Sequence, residues 1–327
     1  MLRLMLVHKT LEMDEASSAT AGTVKSGRGR LAYRIVVLAA LITAVGQVAL
    51  GGVVRVTGSG LGCPDWPLCH GRIIPPFELE TLIEYSHRLS ASVLSILVVA
   101  ATVLAWRVLR ENRTAIISTA VALGLVAMAA VVGGVTVLTE LAWWVVTVHL
   151  ALAEALVASL VIASAAGWDA GSGKRSGNAG GFERLLKVTL IGTFALILSG
   201  SYMVGLGYGS TCATWPLCRG DVLPQGEASL VHMAHRYMAG LVGILTAGVA
   251  LSAWTRRINS NSGRAALALI GLFLIQTLLG AATVWTGFAS ALKSVHLVAA
   301  TLVWVALIYL AAIQFAFRRS EPERQSP

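Results

Sequence analysis

Four histidines, two cysteine pairs and one glutamate stand out in a chain that is otherwise mostly apolar. His87 is followed by Arg88 and His235 by Arg236, while His149 and His296 each sit in a Val-His-Leu triplet. Imidazoles that recur in duplicate are candidates for metal ligation. CPDWPLC over residues 63–69 and CATWPLC over 212–218 place Cys63 near Cys69 and Cys212 near Cys218. Outside the cytoplasm each pair can close a local disulfide. Glu84 precedes His87 by three residues, one turn up the same helix face, and the matching position before His235 is His232. A carboxylate so placed can act as a general base. Its plainer use is an ion pair with Arg88 one helical turn on.

The elements that must position these residues follow from composition. The chain has 327 residues, of which 56% are hydrophobic and 13% charged. Its apolar residues come in blocks of about 20, the length that matches a bilayer's hydrocarbon core. The blocks fall at roughly 35–54, 82–106, 115–138, 142–166, 188–206, 230–254, 264–286 and 292–317. The alternation of a membrane barrel is absent, so each block satisfies its backbone hydrogen bonds as a helix. The expectation is an all-α membrane protein with eight transmembrane helices. Most of the 25 Lys and Arg residues fall before the first block, at 107–113, 174–187 and 256–264, and after the last block. The positive-inside rule makes those segments cytoplasmic, with both termini inside a cell membrane and the cysteine loops extracytoplasmic. The formal charge of +9 is then a topology signal, and no nucleic-acid partner is expected. Residues 1–34 are Ser-, Ala- and Gly-rich with mixed charge. They read as a flexible cytoplasmic tail and lack the apolar core of a cleaved signal peptide.

An internal repeat organises the eight blocks. Cys63, Trp66, Pro67, Leu68, Cys69 and Gly71 fall on Cys212, Trp215, Pro216, Leu217, Cys218 and Gly220. His87-Arg88 falls on His235-Arg236, Gly133 on Gly280, and Val148-His149-Leu150 on Val295-His296-Leu297. Four spans separate equivalent points, so the expected architecture is two tandem, pseudo-twofold-related four-helix bundles. The domains read as a tail (1–34), an N-terminal bundle (35–166), a Gly- and Ser-rich cytoplasmic linker (167–187), a C-terminal bundle (188–317) and a cytoplasmic tail (318–327).

An ionisable residue within a span is costly and marks function. His87 and His149 lie about one and two turns from the outer ends of spans that run in the same direction, so their rings reach similar depth. The same holds for His235 and His296. A lone histidine of this kind is usually a core residue bonded to a carbonyl. Two duplicated pairs, without Cys or carboxylate ligands at that depth, favour axial ligation of one haem iron in each half over zinc. Gly124, Gly133, Gly134, Gly271 and Gly280 would admit a flat macrocycle or a close helix neighbour. Arg88 and Arg236 could bond haem propionates or snorkel to lipid phosphates. The Glu84/His232 difference suggests that one haem reacts while the other is a fixed cofactor. Glu154, deep in span four, has Thr301 as its counterpart and could relay protons or bond within the bundle. His70 follows Cys69, but Arg219 holds the equivalent place, so a zinc site there would not repeat.

The loop Thr57-Gly58-Ser59-Gly60-Leu61-Gly62-Cys63-Pro64-Asp65-Trp66-Pro67-Leu68-Cys69, the segments Glu84-Tyr85-Ser86-His87-Arg88 and His232-Met233-Ala234-His235-Arg236, and the two Val-His-Leu triplets resemble the haem A synthase family over about residues 35–317. The resemblance implies oxidation of the C8 methyl group of haem O to a formyl group by successive hydroxylations, with water lost from a geminal diol. It implies a haem b cofactor held by His235 and His296, a substrate haem flanked by His87 and His149, and Glu84 as catalytic carboxylate. Haem O synthase and the cytochrome oxidase assembly machinery are the implied partners; the electron acceptor is unknown. Two other functions use the same residues: a quinol-linked dihaem b-type electron carrier, and a membrane thiol oxidoreductase working through the cysteines. Against the latter, C-x5-C loops with an internal Trp-Pro look more like fixed disulfides, Cys63–Cys69 and Cys212–Cys218, than exchanging thiols.

Overall fold

Backbone polar groups have no water to bond in a hydrocarbon layer, and long continuous helices are how this chain meets that demand. The computed structural model describes residues 2–168, 180–256 and 260–316. Its helices are α1 (Leu2–Val56), α2 (Leu79–Val108), α3 (Arg113–Leu138), α4 (Trp143–Gly167), α5 (Gly180–Gly205), α6 (Glu227–Arg256), α7 (Ser260–Trp285) and α8 (Ser290–Ala316). Each contains a segment of 23 to 30 residues that is apolar enough to cross a membrane. All eight expected spans are therefore present, several of them longer at their ends than the apolar blocks alone indicate.

α1 is helical from Leu2, so residues 2–34 run without a break into the first span. No proline interrupts the chain before Pro64, and extending an established helix costs far less than nucleating one. α5 begins at Gly180, inside the expected linker 167–187. Linker residues 169–179 and the expected tail 318–327 lie outside the described residues.

Sequence neighbours pack as hairpins: α1 on α2, α3 on α4, α5 on α6 and α7 on α8. α1 closes on α4 and α5 on α8, while the two halves meet through α1–α8, α4–α5 and α4–α8. Helices 1, 4, 5 and 8 thus form the centre. Lipid is as apolar as leucine, so close packing and hydrogen bonds, more than hydrophobicity, hold such helices together. Small buried residues suit that role, among them Ala40 and Ala44 on α1, Ala101 and Ala105 on α2, and Ala115 and Ala122 on α3. Ile42, Ile96, Ile191 and Ile244 point outward, as a lipid-facing surface requires.

The ends of the helices are tied by polar groups. Asn112 caps α3 by accepting from the Ala115 N–H at 3.0 Å, and its own amide donates to the Ala166 carbonyl at 3.0 Å. At the same end, the Tyr33 hydroxyl donates to Ala163 O (2.9 Å) and Arg34 Nε to Gly167 O (2.7 Å). At the opposite end α1 and α5 each unwind through a glycine in the left-handed region, Gly58 (φ 73°) and Gly207 (φ 79°). Short 3-10 turns, Ser59–Leu61 and Tyr208–Ser210, follow and lead into the cysteine loops.

Candidate functional site

The four candidate ligands sit on α2, α4, α6 and α8, and each ring is half-buried. His87 lies within electrostatic range of His149, and His235 of His296, so the expected pairs are brought together. In every case the helix just before supplies a glycine against the ring edge. A Cβ on Gly51 (α1) would stand 3.3 Å from His87 Cε1, and one on Gly133 (α3) 3.2 Å from His149 Cε1. For Gly200 (α5) and His235 the distance is 3.2 Å, and for Gly280 (α7) and His296 it is 3.1 Å. Gly133 and Gly280 therefore seat an imidazole. Gly124 and Gly271 face open space, and Gly134 lies beneath the Trp66 ring.

Hydrogen bonds distinguish the rings. Gln47, one turn from Gly51 on α1, donates its amide to the His87 carbonyl at 3.0 Å and reaches His87 Nε2 at 3.2 Å. The Ser90 hydroxyl holds the other side of that amide by donating to Gln47 Oε1. Gln276 on α7 reaches His296 Nε2 at 3.2 Å. His235 instead meets the Ser199 hydroxyl through Nδ1 at 2.7 Å. Nδ1 of His87, His149 and His296 is buried without a hydrogen-bond partner. For His149 and His296, the carbonyls of Ala129 and Gln276 lie nearby but outside hydrogen-bond geometry.

Above each pair lies a closed cysteine loop. Cys63–Cys69 and Cys212–Cys218 are both disulfide-bonded. The arginine beside each second-span histidine clamps its loop: Arg88 donates to the carbonyls of Asp65 (2.7 Å), Leu68 (2.8 Å) and Cys63 (2.9 Å). Arg236 likewise donates to Thr214 (2.7 Å), Pro216 (2.9 Å) and Cys212 (3.1 Å). Both guanidinium groups are thus engaged with loop carbonyls. The carbonyls converge inside a ring of chain, and a five-donor fork is the side chain that satisfies several at once.

Glu84 and His232 both complete the clamp, in different ways. Glu84 is 4% exposed; Oε2 accepts from the Cys63 N–H at 2.8 Å and Oε1 from Arg88 at 2.5 Å. The ion pair with Arg88 is thus present, and the carboxylate also holds the disulfide's own backbone. His232 is equally buried and reaches Arg236 at 3.1 Å and the Tyr208 carbonyl at 3.1 Å. Inside the first loop Asp65 accepts from the His70 N–H (2.6 Å) and the Gly71 N–H (2.7 Å). Thr214 does the equivalent for the Arg219 N–H at 2.6 Å. The Gly71 bond, the His70 bond and the nearby Arg88 charge hold the Asp65 carboxyl below the usual carboxylate range. His70 bonds the Gly62 carbonyl at 2.9 Å, and among the described residues no three His, Cys, Asp or Glu side chains gather to hold a metal.

Glu154 is fully buried where α4 meets α8. Its Oε1 accepts from Thr301 at 2.6 Å, and its backbone carbonyl from Trp304 Nε1 at 2.9 Å. Of the two uses left open for it, bonding within the bundle is the one seen. The sequence reading missed Gly51, Gly200, Gln47, Gln276 and Ser199. Gly51 and Gly200 coincide when the halves are aligned, which was the available signal.

Eight membrane-length helices carrying two histidine pairs beneath disulfide loops define a polytopic helical membrane protein. The family model for COX15-CtaA, a cytochrome oxidase assembly protein, matches residues 34–81 and 77–308. The chain belongs to this family. It is similar to a heme A synthase of Exiguobacterium sp., 30% identical over 268 residues, covering 80% of this chain and 86% of the relative. The heme A synthase of Exiguobacterium sibiricum is 28% identical over 294 residues, covering 88% and 98% respectively. That of Alkalihalophilus pseudofirmus is 26% identical over 285 residues, covering 84% and 95%.

Proposed function

We propose that the chain is a haem A synthase, oxidising the C8 methyl group of haem O to a formyl group by successive hydroxylations and supplying haem A for cytochrome oxidase. One observation carries the reading: two matched imidazole pairs, only one of which has a carboxylate, Glu84, a turn from its first histidine. A pair of like sites in which one alone has a candidate base suits a substrate haem in the half with Glu84 and a resident haem in the other. The N-terminal bundle (35–166) is then the substrate domain and the C-terminal bundle (188–317) the cofactor domain, with the cysteine loops on the extracytoplasmic side and both termini cytoplasmic.

The residues fit haem. Two imidazoles on helices running the same way could together supply two nitrogens to one iron. Glycines opposite all four rings leave room for the imidazole edges, and no thiolate competes with the ring nitrogens, since the four cysteines are disulfide-bonded. His235 and His296 would hold haem b, which when bound supplies one-electron redox chemistry. His87 and His149 would orient the substrate from either side. Glu84, aimed by Arg88 and the Cys63 N–H, would accept a proton from water or from the hydroxylated carbon. Trp66, packed on Gly134, and the Arg88-clamped loop would keep bulk water from the pocket mouth.

The test is expression with a source of haem O, followed by chromatography and mass analysis of extracted haems. Wild type is expected to yield haem A or its hydroxylated precursor. Glu84→Ala is expected to keep haem b and lose conversion, and His235→Ala to lose haem b. Normal haem b content without any conversion of haem O in the wild type overturns the reading.

A further inference from the structure

The two second-span histidines occupy the same repeat position and sit against the same glycine, yet their hydrogen bonds differ. Ser199 Oγ has one proton, and the hydroxyl donates it to the Leu196 carbonyl at 2.7 Å. With the hydroxyl proton directed at that carbonyl, the 2.7 Å contact with His235 runs the other way, Nδ1–H donating to Ser199 Oγ. That leaves Nε2 unprotonated, its lone pair free. In the N-terminal half Leu50 aligns with Ser199, as Gly51 aligns with Gly200. His87 Nδ1 is accordingly buried and unpartnered. The Gln47 amide has its nitrogen side fixed by the acceptor-only His87 carbonyl, so it presents an N–H to His87 Nε2 and covers that ring's lone pair. Gln276 also reaches His296 Nε2 at 3.2 Å, but its Oε1 is buried without a partner and nothing else fixes its amide, so His235 is the ring of the C-terminal half with a partner on its distal nitrogen.

We infer that Ser199 is a positioning residue that presets His235 as the anchoring haem ligand, and that its replacement by Leu50 beside an amide-capped His87 makes the N-terminal site exchangeable. A partner on the distal nitrogen fixes the ring's tautomer and orientation and raises its basicity as a ligand. A ligand whose lone pair is already hydrogen-bonded must give up that bond before it can coordinate. A synthase needs this inequality, because one haem must stay while the other enters and leaves. The inference rests on the assignment of the resident haem to the C-terminal half.

The test uses full-length purified protein carrying haem b, with haem loss followed by transfer to apomyoglobin and the midpoint potential by spectroelectrochemistry. Ser199→Ala is expected to lose haem about 10- to 100-fold faster, the range that follows loss of such a partner. Its potential is expected to rise, because a less basic imidazole stabilises the ferric state less. Ser199→Thr, which restores the hydroxyl, is expected to recover both. In the reciprocal variant, Leu50→Ser in the wild-type background, hemin titration is expected to show a second retained equivalent. Wild-type loss rate and potential in Ser199→Ala overturn the inference, as does a Leu50→Ser protein that retains no more hemin than wild type, the latter even if Ser199→Ala fails to fold. Either result leaves the synthase proposal standing, since that is judged by conversion of haem O alone.

Discussion

At the scale of single residues, the glycines opposite the histidines are the most exacting positions. Each is needed for the close approach of an imidazole edge, and the backbone of a neighbouring helix cannot easily withdraw. Gly280→Ala would place a methyl group 3.1 Å from His296 Cε1, tighter than an ordinary van der Waals contact. Overpacking of this kind costs about 1–3 kcal/mol, so the variant is expected to melt earlier and to carry less haem. Gly271→Ala is its control, because Gly271 faces open space and the same added methyl meets nothing. Thermal melts of both in detergent, with haem content measured alongside, check the pair; equal behaviour would falsify the role given to Gly280.

At the scale of elements, the two cysteine loops share a frame and differ in the residue that pins it. Asp65 and Thr214 accept from equivalent backbone N–H groups, but only Asp65 titrates. Its folded-state pKa lies below the unfolded value of about 3.9, so its contribution is fully present above that value and is lost as pH falls through the lower, folded one. The first loop is therefore expected to keep its structure until the pH has fallen below about 4 and to loosen before the second. Hydrogen exchange of the His70 and Gly71 amides against that of Arg219, measured across acid pH, reads this directly. Asp65→Asn is expected to abolish the difference in pH response. Simultaneous loosening of both loops in the wild type would assign the pinning to something other than Asp65.

At the scale of the whole molecule, the contacts between the halves pair positions that correspond in the repeat. Glu154 and Thr301 are equivalents and bond one another. Thr147 on α4 reaches Ser201 on α5 at 3.1 Å, and their equivalents, Ser294 on α8 and Gly52 on α1, also face one another, a Cβ on Gly52 standing 3.7 Å from Ser294 Cα. A twofold relation between the proposed bundles requires such exchange of partners. Thr301→Val would remove the hydroxyl from the buried carboxylate, and stranding a buried acceptor costs about 1–3 kcal/mol, more if it is charged. The variant is expected to melt earlier, whereas Glu154→Gln, which keeps an oxygen for Thr301, is expected to melt close to wild type. The reverse order would mean that the charge rather than the hydrogen bond holds the interface.

The eight spans, the duplication and the four candidate ligands were legible in the residues themselves. Span length is set by bilayer thickness, and a buried histidine or disulfide loop is conspicuous against so apolar a background. Tertiary structure decided what those residues touch. That Arg88 reaches the Cys63 carbonyl depends on where the loop folds back over α2, which no local pattern encodes. The partnership of Ser199 with His235 depends on how α5 is rotated against α6, and a serine on an apolar helix carries no mark of it. The helical course of residues 2–34 was likewise hidden, because composition reports weak local preferences while a helix already begun next door shifts the balance. Residue chemistry selected the candidates, and helix rotation and loop closure, which arise only from packing, selected their partners.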